Sequence, residues 1–568
     1  MECVTVSVGG QRMDVRTIPE LLQHALKTHR KTDAFLIKRG GRWEPVPMAS
    51  VIGQVASLSS ALRARGIAAG DRVAILAESR LEWAIADMAV LWLAAVTVPV
   101  YHSLPSNQVA PLLLDSACVG IFVSTRDQKA KVESVKGQLP SLKWVWCFDE
   151  EALPEASGSG EELPDAPVGP NVVATIIYTS GTTGVPKGVM LTHGNMATEA
   201  VLALKAMTIL TTDVYLSLLP LSHVFERCSG LYTMILGGAT IAYSESLDKV
   251  PANLLEVRPT IVMAVPRFYE KLAARVFEVA EAAGFPRANI ARWGRKVGIE
   301  WAERTDARQQ IPGPLALAHS IANVLVYSVI AKRLGGRLRL RVSGGAALHR
   351  DVALFFYGAG QPIFEGYGLT ETSSAISVNR FGRFRIGTVG PLFDRIEIKI
   401  AEDGEILVSG PVVMKAYWNR PAETAEAIRE GWFYTGDIGT MDPDGHLRIT
   451  DRKKDLIVTS GGKKVAPQPI ENALRSSPKI REALVLGDGK KFIAALIVPA
   501  PGVKREEIAA EVEQVNSTHA SFERIKRFEL IPDDLTIENG FLTPSLKLKR
   551  KAVAERHHDL IARLFEGA

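Results

Sequence analysis

Apolar positions along the first part of the chain recur in two alternating registers. Val51, Ile52, Val55, Leu58 and Leu62 fall on the 3.6-residue period of a helix, predicting one over 51–65. Gly66 and Gly70 punctuate, and Arg72-Val73-Ala74-Ile75-Leu76 then reads as a buried strand. The exchange repeats, with helices predicted over 21–29, 83–95 and 108–116 and strands over 96–100 and 120–123. Further strands are expected over 172–177, 240–243, 259–265, 337–342 and 362–364, with an amphipathic helix over 269–283. The stretch 289–334 reads as largely helical, interrupted near Pro312 and Pro314, and most of it is expected to serve packing. Strands alternating with helices imply α/β architecture with parallel sheets covered on both faces. Ligands on such sheets lie beyond the carboxyl ends of the strands. From Lys453 the pattern changes to a small α+β domain. Its strands are expected over 483–486 and 492–498, joined by Gly487-Asp488-Gly489, with a helix over 505–519 and a strand over 528–531.

Composition narrows the function classes. With 568 residues and 47% hydrophobic content the chain can fill several cores. A net charge of +5, from 67 basic and 62 acidic residues, is too mild to suggest nucleic acid. Cys3, Cys118, Cys147 and Cys228 lie far apart with no C-x-x-C pair, so neither a zinc site nor a disulfide framework is expected and a reducing compartment is. The first residues show no secretory signal pattern. The apolar run 88–98 is too short to cross a bilayer, so a soluble, cytoplasmic protein is expected, with peripheral membrane contact left open. The acidic, Pro/Gly/Ser-rich stretch 150–170 reads as a solvated loop.

The densest chemistry lies at 178–188, YTSGTTGVPKG. Gly181, Gly184 and Gly188 allow backbone N–H groups to approach an anion closely. Thr179, Ser180, Thr182 and Thr183 add hydroxyl donors, and Lys187 adds a point charge. Together they form a phosphate cradle. It differs from the P-loop, which needs a hydroxyl residue directly after the lysine; here Gly188 follows. The ordered string resembles the signature loop of the AMP-forming adenylating enzymes, whose members include acyl-CoA synthetases.

The rest of the chain extends that resemblance. The stretch 431–471, GWFYTGDIGTMDPDGHLRITDRKKDLIVTSGGKKVAPQPIE, resembles the fatty acyl-CoA synthetase signature, and 289–334 resembles the helical elaboration of long-chain members. The resemblance implies a large N-terminal domain of α/β subdomains with layered sheets, over 1–450. A small mobile α+β domain would follow over 451–568, with its hinge at Asp451. It implies adenine contacts at Gly345, Ala346 and Ala347 and at Glu365, Gly366, Tyr367, Gly368 and Thr370. Asp437 and Arg452 are implied at the ribose or phosphates, Glu371 and Thr183 at magnesium, and His223, Phe225 and Gly344 beside the acyl substrate. Gly461, Gly462 and Lys463 would face coenzyme A. A mobile catalytic lysine would be Lys547 by register, with Lys549 as the alternative; Leu546 stands where the family usually has glycine.

The implied activity is two-step, with magnesium as cofactor and ATP and coenzyme A as co-substrates. A carboxylate attacks the α-phosphate of ATP, giving acyl-adenylate and pyrophosphate, and coenzyme A then takes the acyl group as a thioester. Thr183, Lys187, Glu371 and Lys547 would carry the first step. Rotation of the small domain would then withdraw Lys547 for the second. The expected function is long-chain fatty acid–CoA ligation, without nucleic acid and with a homodimer left open. The alternatives are a ligase for an aryl or branched acid, a catalytically silent lipid-binding scaffold on the same fold, and a nucleotide hydrolase.

Overall fold

The computed structural model describes residues 5–8, 11–156, 168–179, 186–532, 535–536, 539–542 and 548–566. The chain divides into two compact units. Unit 1 comprises Met1–Tyr269, Val276–Glu397 and Val408–Phe433; unit 2 comprises Glu270–Arg275, Ile398–Leu407 and Tyr434–Ala568.

Unit 1 carries two large sheets. In the first, Trp144–Cys147, Gly120–Val123, Arg72–Leu76, Val96–Val100 and Val173–Thr179 run parallel in that spatial order. Lys187–Thr192 and then Ala416–Tyr417 add antiparallel at one edge. In the second, the parallel centre is Phe364–Leu369, Leu340–Ser343, Ile261–Ala264, Val214–Ser217, Thr240–Tyr243 and Phe35–Arg39. Ser374–Val378 and Arg42–Val46 close its two edges antiparallel. The parallel sheets read from sequence are therefore present, with antiparallel edges that helix–strand alternation does not reveal. The last two central strands are also displaced from the reading. The strand expected over 337–342 is Leu340–Ser343, and the strand expected over 362–364 instead begins at Phe364 and runs through the glycine-rich EGYGL.

Two helices of unit 1 are buried on nearly all sides. Every residue of Leu81–Trp92 except Glu82 is buried, and so is every residue of His193–Met207 except Lys205. The second contacts Lys187–Thr192 of one sheet and Ser374–Val378 of the other. Its start is fixed by a reciprocal cap: Asn195 N–H donates to Thr192 Oγ1 at 3.1 Å and Thr192 N–H to Asn195 Oδ1 at 2.9 Å. The Asn195 amide also donates to the carbonyls of Pro411 and Val413, tying the cap to the segment that enters the candidate site.

Polar groups inside this layer carry large electrostatic consequences. Arg227, wholly buried, donates from Nε to Asp87 Oδ2 at 2.8 Å and from Nη1 to Thr175 Oγ1 at 2.7 Å; Tyr232 OH donates to the same Asp87 at 2.6 Å. Burial, and then Arg227, push His193 down to about 3. Burial pushes the Glu199 carboxyl up to about 8, partly offset by hydrogen bonds from the Ser229 hydroxyl at 2.8 Å and the Ala375 N–H. Glu199 thus holds a proton in the folded protein that the unfolded chain releases above its ordinary value of 4.5. This favours folding fully below that value and is lost as pH rises toward 8. Glu199→Gln is therefore expected to gain thermal stability relative to wild type between about pH 5 and about pH 8. A constant difference between the two melting temperatures across that range would refute the assignment.

Unit 2 contains a three-stranded sheet in which Ile480–Leu486 and Ile493–Pro499 are antiparallel and Ile525–Leu530 joins parallel. Alternate residues sort to its two faces. Ala483, Val485, Ala495 and Ile497 pack with Ile470, Leu474, Ile508 and Val512 of the helices Pro467–Arg475 and Arg505–Ser517. Leu484, Ala494, Leu496 and Val498 pack with Val553 and Leu564 of Arg550–Arg556 and His558–Phe565. The α+β pattern read after Lys453 is the one observed.

Candidate active site

The signature string lies between Val173–Thr179 and Lys187–Thr192, which pair antiparallel with Thr179 opposite Lys187. It therefore connects two adjacent strands and does not enter a helix, a second difference from the P-loop. Ser180, Gly181, Thr182, Thr183 and Gly184 lie outside the described residues. Gly188 is required by packing: a Cβ there would sit 2.7 Å from Ile176 Cγ2 and 3.2 Å from Trp418 Cβ. Trp418 N–H donates to Gly188 O at 2.7 Å, which holds the edge strand Ala416–Tyr417 beside the lysine.

Tyr417 on that edge joins two residues that sequence reasoning had placed in one site. Lys187 Nζ lies 5.2 Å from the centre of its ring, and its hydroxyl donates to Glu371 Oε1 at 2.9 Å. Burial, and then the Glu371 carboxylate, hold the Tyr417 phenol above its ordinary value, so it keeps the proton that it donates. Met414 N–H donates to Glu371 O at 2.7 Å and fixes the backbone of the same turn. Lys187, Tyr417 and Glu371 thus form a cation, a rigid aromatic spacer and an anion. Tyr417 was missed in the sequence; its place in KAYWN gives no spacing signal, and the contact is made only when the edge strand adds to the sheet.

The turn carrying Glu371 is tightly built. In Phe364–Leu369 a Cβ on Gly368 would fall 1.6 Å from Ser374 O and one on Gly366 3.2 Å from Ser377 O, so the partner strand approaches too closely for any side chain at Gly368. A bulge between Tyr367 and Gly368 re-aims the chain there. Tyr367 and Thr370 are half-buried. Ser373 and Ser374 follow at φ +60° and +121°, backbone that non-glycine residues rarely adopt. The buried Glu365 carboxylate accepts from Leu348 N–H at 3.2 Å and braces the loop after Leu340–Ser343. On that loop Gly345, at φ +85°, Ala346 and Ala347 are exposed beyond the strand's carboxyl end, where a flat ring could lie on backbone.

Phe225 and Gly344 are also brought together. A Cβ on Gly344 would lie 3.2 Å from Phe225 Cε1, so the ring rests on the glycine. His223 is half-buried, and its Nδ1 accepts from Phe225 N–H at 3.2 Å. Phe225–Tyr232 is a π-helical turn, a widened geometry common at functional sites. Buried beside it, Glu226 accepts from Tyr215 OH at 2.7 Å and Ser217 OH at 2.6 Å, and burial pushes its carboxyl up to about 7.

Unit 2 holds the remaining assignments. Asp437 and Arg452 face each other across an antiparallel pair, with Arg452 Nε 3.1 Å from Asp437 Oδ1. The hairpin between them turns at Gly445, φ +79°, as Asp442-Pro443-Asp444-Gly445 predicts. Lys453 pairs with Asp403 at 2.6 Å and Glu405 at 2.7 Å. Asp451 is buried; its Oδ1 accepts from Arg452 N–H at 2.6 Å, and burial pushes its carboxyl up to about 6. Gly461, Gly462 and Lys463 form the exposed turn of a short hairpin, with Gly462 at φ +73° and Lys463 Nζ 5.8 Å from the Phe522 ring. Lys547 lies outside the described residues; Leu542 and Leu548 on either side of that stretch form an antiparallel bridge. Lys549, the alternative, is half-buried, and its N–H donates to Phe541 O at 2.8 Å.

A lysine that follows a glycine- and threonine-rich string, joined through a tyrosine to a carboxylate at the edge of layered α/β sheets, is the arrangement of an adenylate-forming enzyme. The sequence matches the AMP-binding enzyme family over residues 23–418 and the AMP-binding enzyme C-terminal domain over 454–568, and the chain belongs to that family. The resemblance read from YTSGTTGVPKG and from the stretch 431–471 is borne out. The chain is 37% identical to "Long-chain-fatty-acid--CoA ligase FadD15" of Mycobacterium tuberculosis over 91% of each protein. It is 29% identical to "Long-chain-fatty-acid--CoA ligase ACSBG2" of Xenopus laevis, over 97% of this chain and 84% of that one. Among solved structures, the adenylation domain of a carboxylic acid reductase from Segniliparus rugosus shares the fold with a TM-score of 0.77. That match covers 97% of this chain and 94% of the other at 20% identity.

Proposed function

We propose that this protein is a long-chain fatty acid–CoA ligase that works through an acyl-adenylate. The grouping of Lys187, Tyr417 and Glu371 is the observation that supports the adenylating chemistry; the substrate class is supported by the names of the relatives. A fatty acid is already ionised at neutral pH, so attack on the α-phosphate needs no general base. The barrier is the approach of two anions and the charge developing on phosphoryl oxygens. Lys187 would meet that charge, and the hydroxyls of Ser180, Thr182 and Thr183 with the backbone N–H groups at Gly181 and Gly184 would serve the phosphates. As the carboxylate oxygen bonds to the α-phosphorus, the bond to the pyrophosphate oxygen breaks. In the second step the thiol sulfur of coenzyme A attacks the acyl carbon and AMP leaves. Phe225 against Gly344 offers an apolar wall for the acid, and Asp437 beside Arg452 offers a carboxylate and a guanidinium to a ribose diol.

Magnesium belongs to this reading. Glu371 and the Thr183 hydroxyl are hard oxygen donors, and no group of three or more His, Cys, Asp or Glu residues that could hold a metal occurs among the described residues. That donor set fits a cation that keeps water and phosphate oxygens in most of its shell. Bound there, magnesium supplies neutralisation of phosphate charge. Glu371→Gln keeps an acceptor for Tyr417 but removes the anion. Pyrophosphate release is expected to fall roughly 10²-fold and the magnesium requirement to rise; wild-type rates at low magnesium would remove Glu371 from this role. Cys118, Cys147 and Cys228 are unbridged and buried, which supports a reducing, cytoplasmic setting.

The test of the adenylating step is exchange of labelled pyrophosphate into ATP. Exchange that requires a fatty acid and proceeds without coenzyme A supports the proposal. Release of ADP, or ATP consumption independent of any acid, would replace it with nucleotide hydrolysis.

A further inference from the structure

Most of the helical stretch 289–334 is expected from its sequence to serve packing. For Gly313–Arg333 that expectation fails. These 21 residues have a mean hydropathy of 1.6 over their most apolar window, yet only 28% of that window is buried. One side does pack: Leu315, Ala322, Val326, Tyr327 and Ile330 are buried, and Tyr327 OH donates to Gly294 O at 2.8 Å. The opposite side is equally apolar and faces outward. Leu317 is 64% and Val324 70% exposed, with Ile321, Leu325 and Val329 exposed beside them. Spacing of Leu317, Ile321, Val324 and Leu325 at three and four residues puts them on one stripe. Single exposed apolar residues are ordinary, whereas a contiguous stripe marks an interaction surface.

Charge selects the occupant. No Asp or Glu occurs between Asp306 and Asp351. Lys332, Arg333 and Arg337 are exposed at the carboxyl end of the stripe, and the partly exposed Trp293 lies next to the Gly294–Val326 contact on the neighbouring helix. An apolar face with cations at its end and an aromatic at its side is the composition of a helix lying in the plane of a bilayer surface. A two-fold contact of this face with itself would find no carboxylate within the stretch to pair with its cations. The helix is long enough to cross a bilayer, but crossing would strip the packed side, including the stack of His319 on Trp301 at 4.4 Å. We propose that the outward face of Gly313–Arg333 docks this protein on an anionic lipid surface. The inference rests on the surface alone, so its failure would leave the catalytic proposal standing.

Flotation of the full chain with lipid vesicles tests it. Vesicles of phosphatidylcholine alone and of phosphatidylcholine mixed with phosphatidylglycerol are compared for wild type, Ile321→Glu/Val324→Glu and Lys332→Glu/Arg333→Glu. Ligase activity on a water-soluble medium-chain acid confirms that each variant is folded, since none of these residues belongs to the site. Wild type is expected to float with the anionic vesicles, and both variants to lose at least about tenfold in binding. No binding by wild type, or equal binding by folded variants, would overturn the proposal. A wild-type dimer in light scattering that Ile321→Glu/Val324→Glu dissociates, without vesicle binding, would assign the face to a second copy instead.

Discussion

Lys547→Ala is expected to lower acyl-adenylate formation by roughly 10²–10³-fold while leaving thioester formation from supplied acyl-adenylate within a few-fold of wild type. A lysine at the α-phosphate stabilises charge that exists only while the first bond is made and broken, so its loss falls on that step alone. The second step needs a thiol near an activated acyl group; an ordinary thiol with a pKa near 8.5 supplies some thiolate unaided. Single-turnover measurement of adenylate and acyl-CoA separates the two. Equal loss in both half-reactions would remove Lys547 from this role. Normal adenylation in Lys547→Ala with loss in Lys549→Ala would move the role by two residues.

The second large effect is on stability. Arg227→Met strands the Asp87 carboxylate in a site with no solvent exposure and leaves it the hydrogen bond from Tyr232 OH. Breaking a buried ion pair from one side costs about 3–5 kcal/mol, whereas replacing both charges by apolar groups is often neutral. Denaturant unfolding is therefore expected to show Arg227→Met far less stable than Arg227→Met/Asp87→Leu. A single variant within about 1 kcal/mol of wild type would mean that water reaches the pair. A double variant no better than the single would mean that Arg227 acts mainly through Thr175 and the Trp83 ring, 5.7 Å from its guanidinium.

Both the successes and the misses of the sequence reading have physical causes. Short apolar runs bounded by glycine located strands such as Arg72–Leu76, Val96–Val100, Gly120–Val123 and Thr240–Tyr243 to the residue, because burial on both faces leaves little choice of composition. The family resemblance was legible because the strings that carry it, YTSGTTGVPKG and the stretch 431–471, are each contiguous in the sequence. Tyr417 was not legible, since it meets Lys187 and Glu371 only through pairing of a two-residue edge strand. The Arg227–Asp87 pair joins residues 140 positions apart and leaves no periodic trace. The outward stripe of Gly313–Arg333 was misread for another reason. An apolar helix face has the same sequence pattern whether protein or something else covers it, and only the fold shows which.

The central claim is that this chain joins a long-chain fatty acid to coenzyme A at the expense of ATP. Mass spectrometry of the products tests it most directly. Purified protein is incubated with magnesium-ATP and a mixture of carboxylic acids of graded length, aryl and branched acids included, with and without coenzyme A. The account predicts AMP in every productive reaction, acyl-adenylate alone without coenzyme A, and a dominant long-chain acyl-CoA with it. A dominant aryl or branched thioester would contradict the substrate class. Acyl-adenylate that persists in the presence of coenzyme A would contradict the acceptor, and no AMP with any acid would leave a silent scaffold on an adenylating fold.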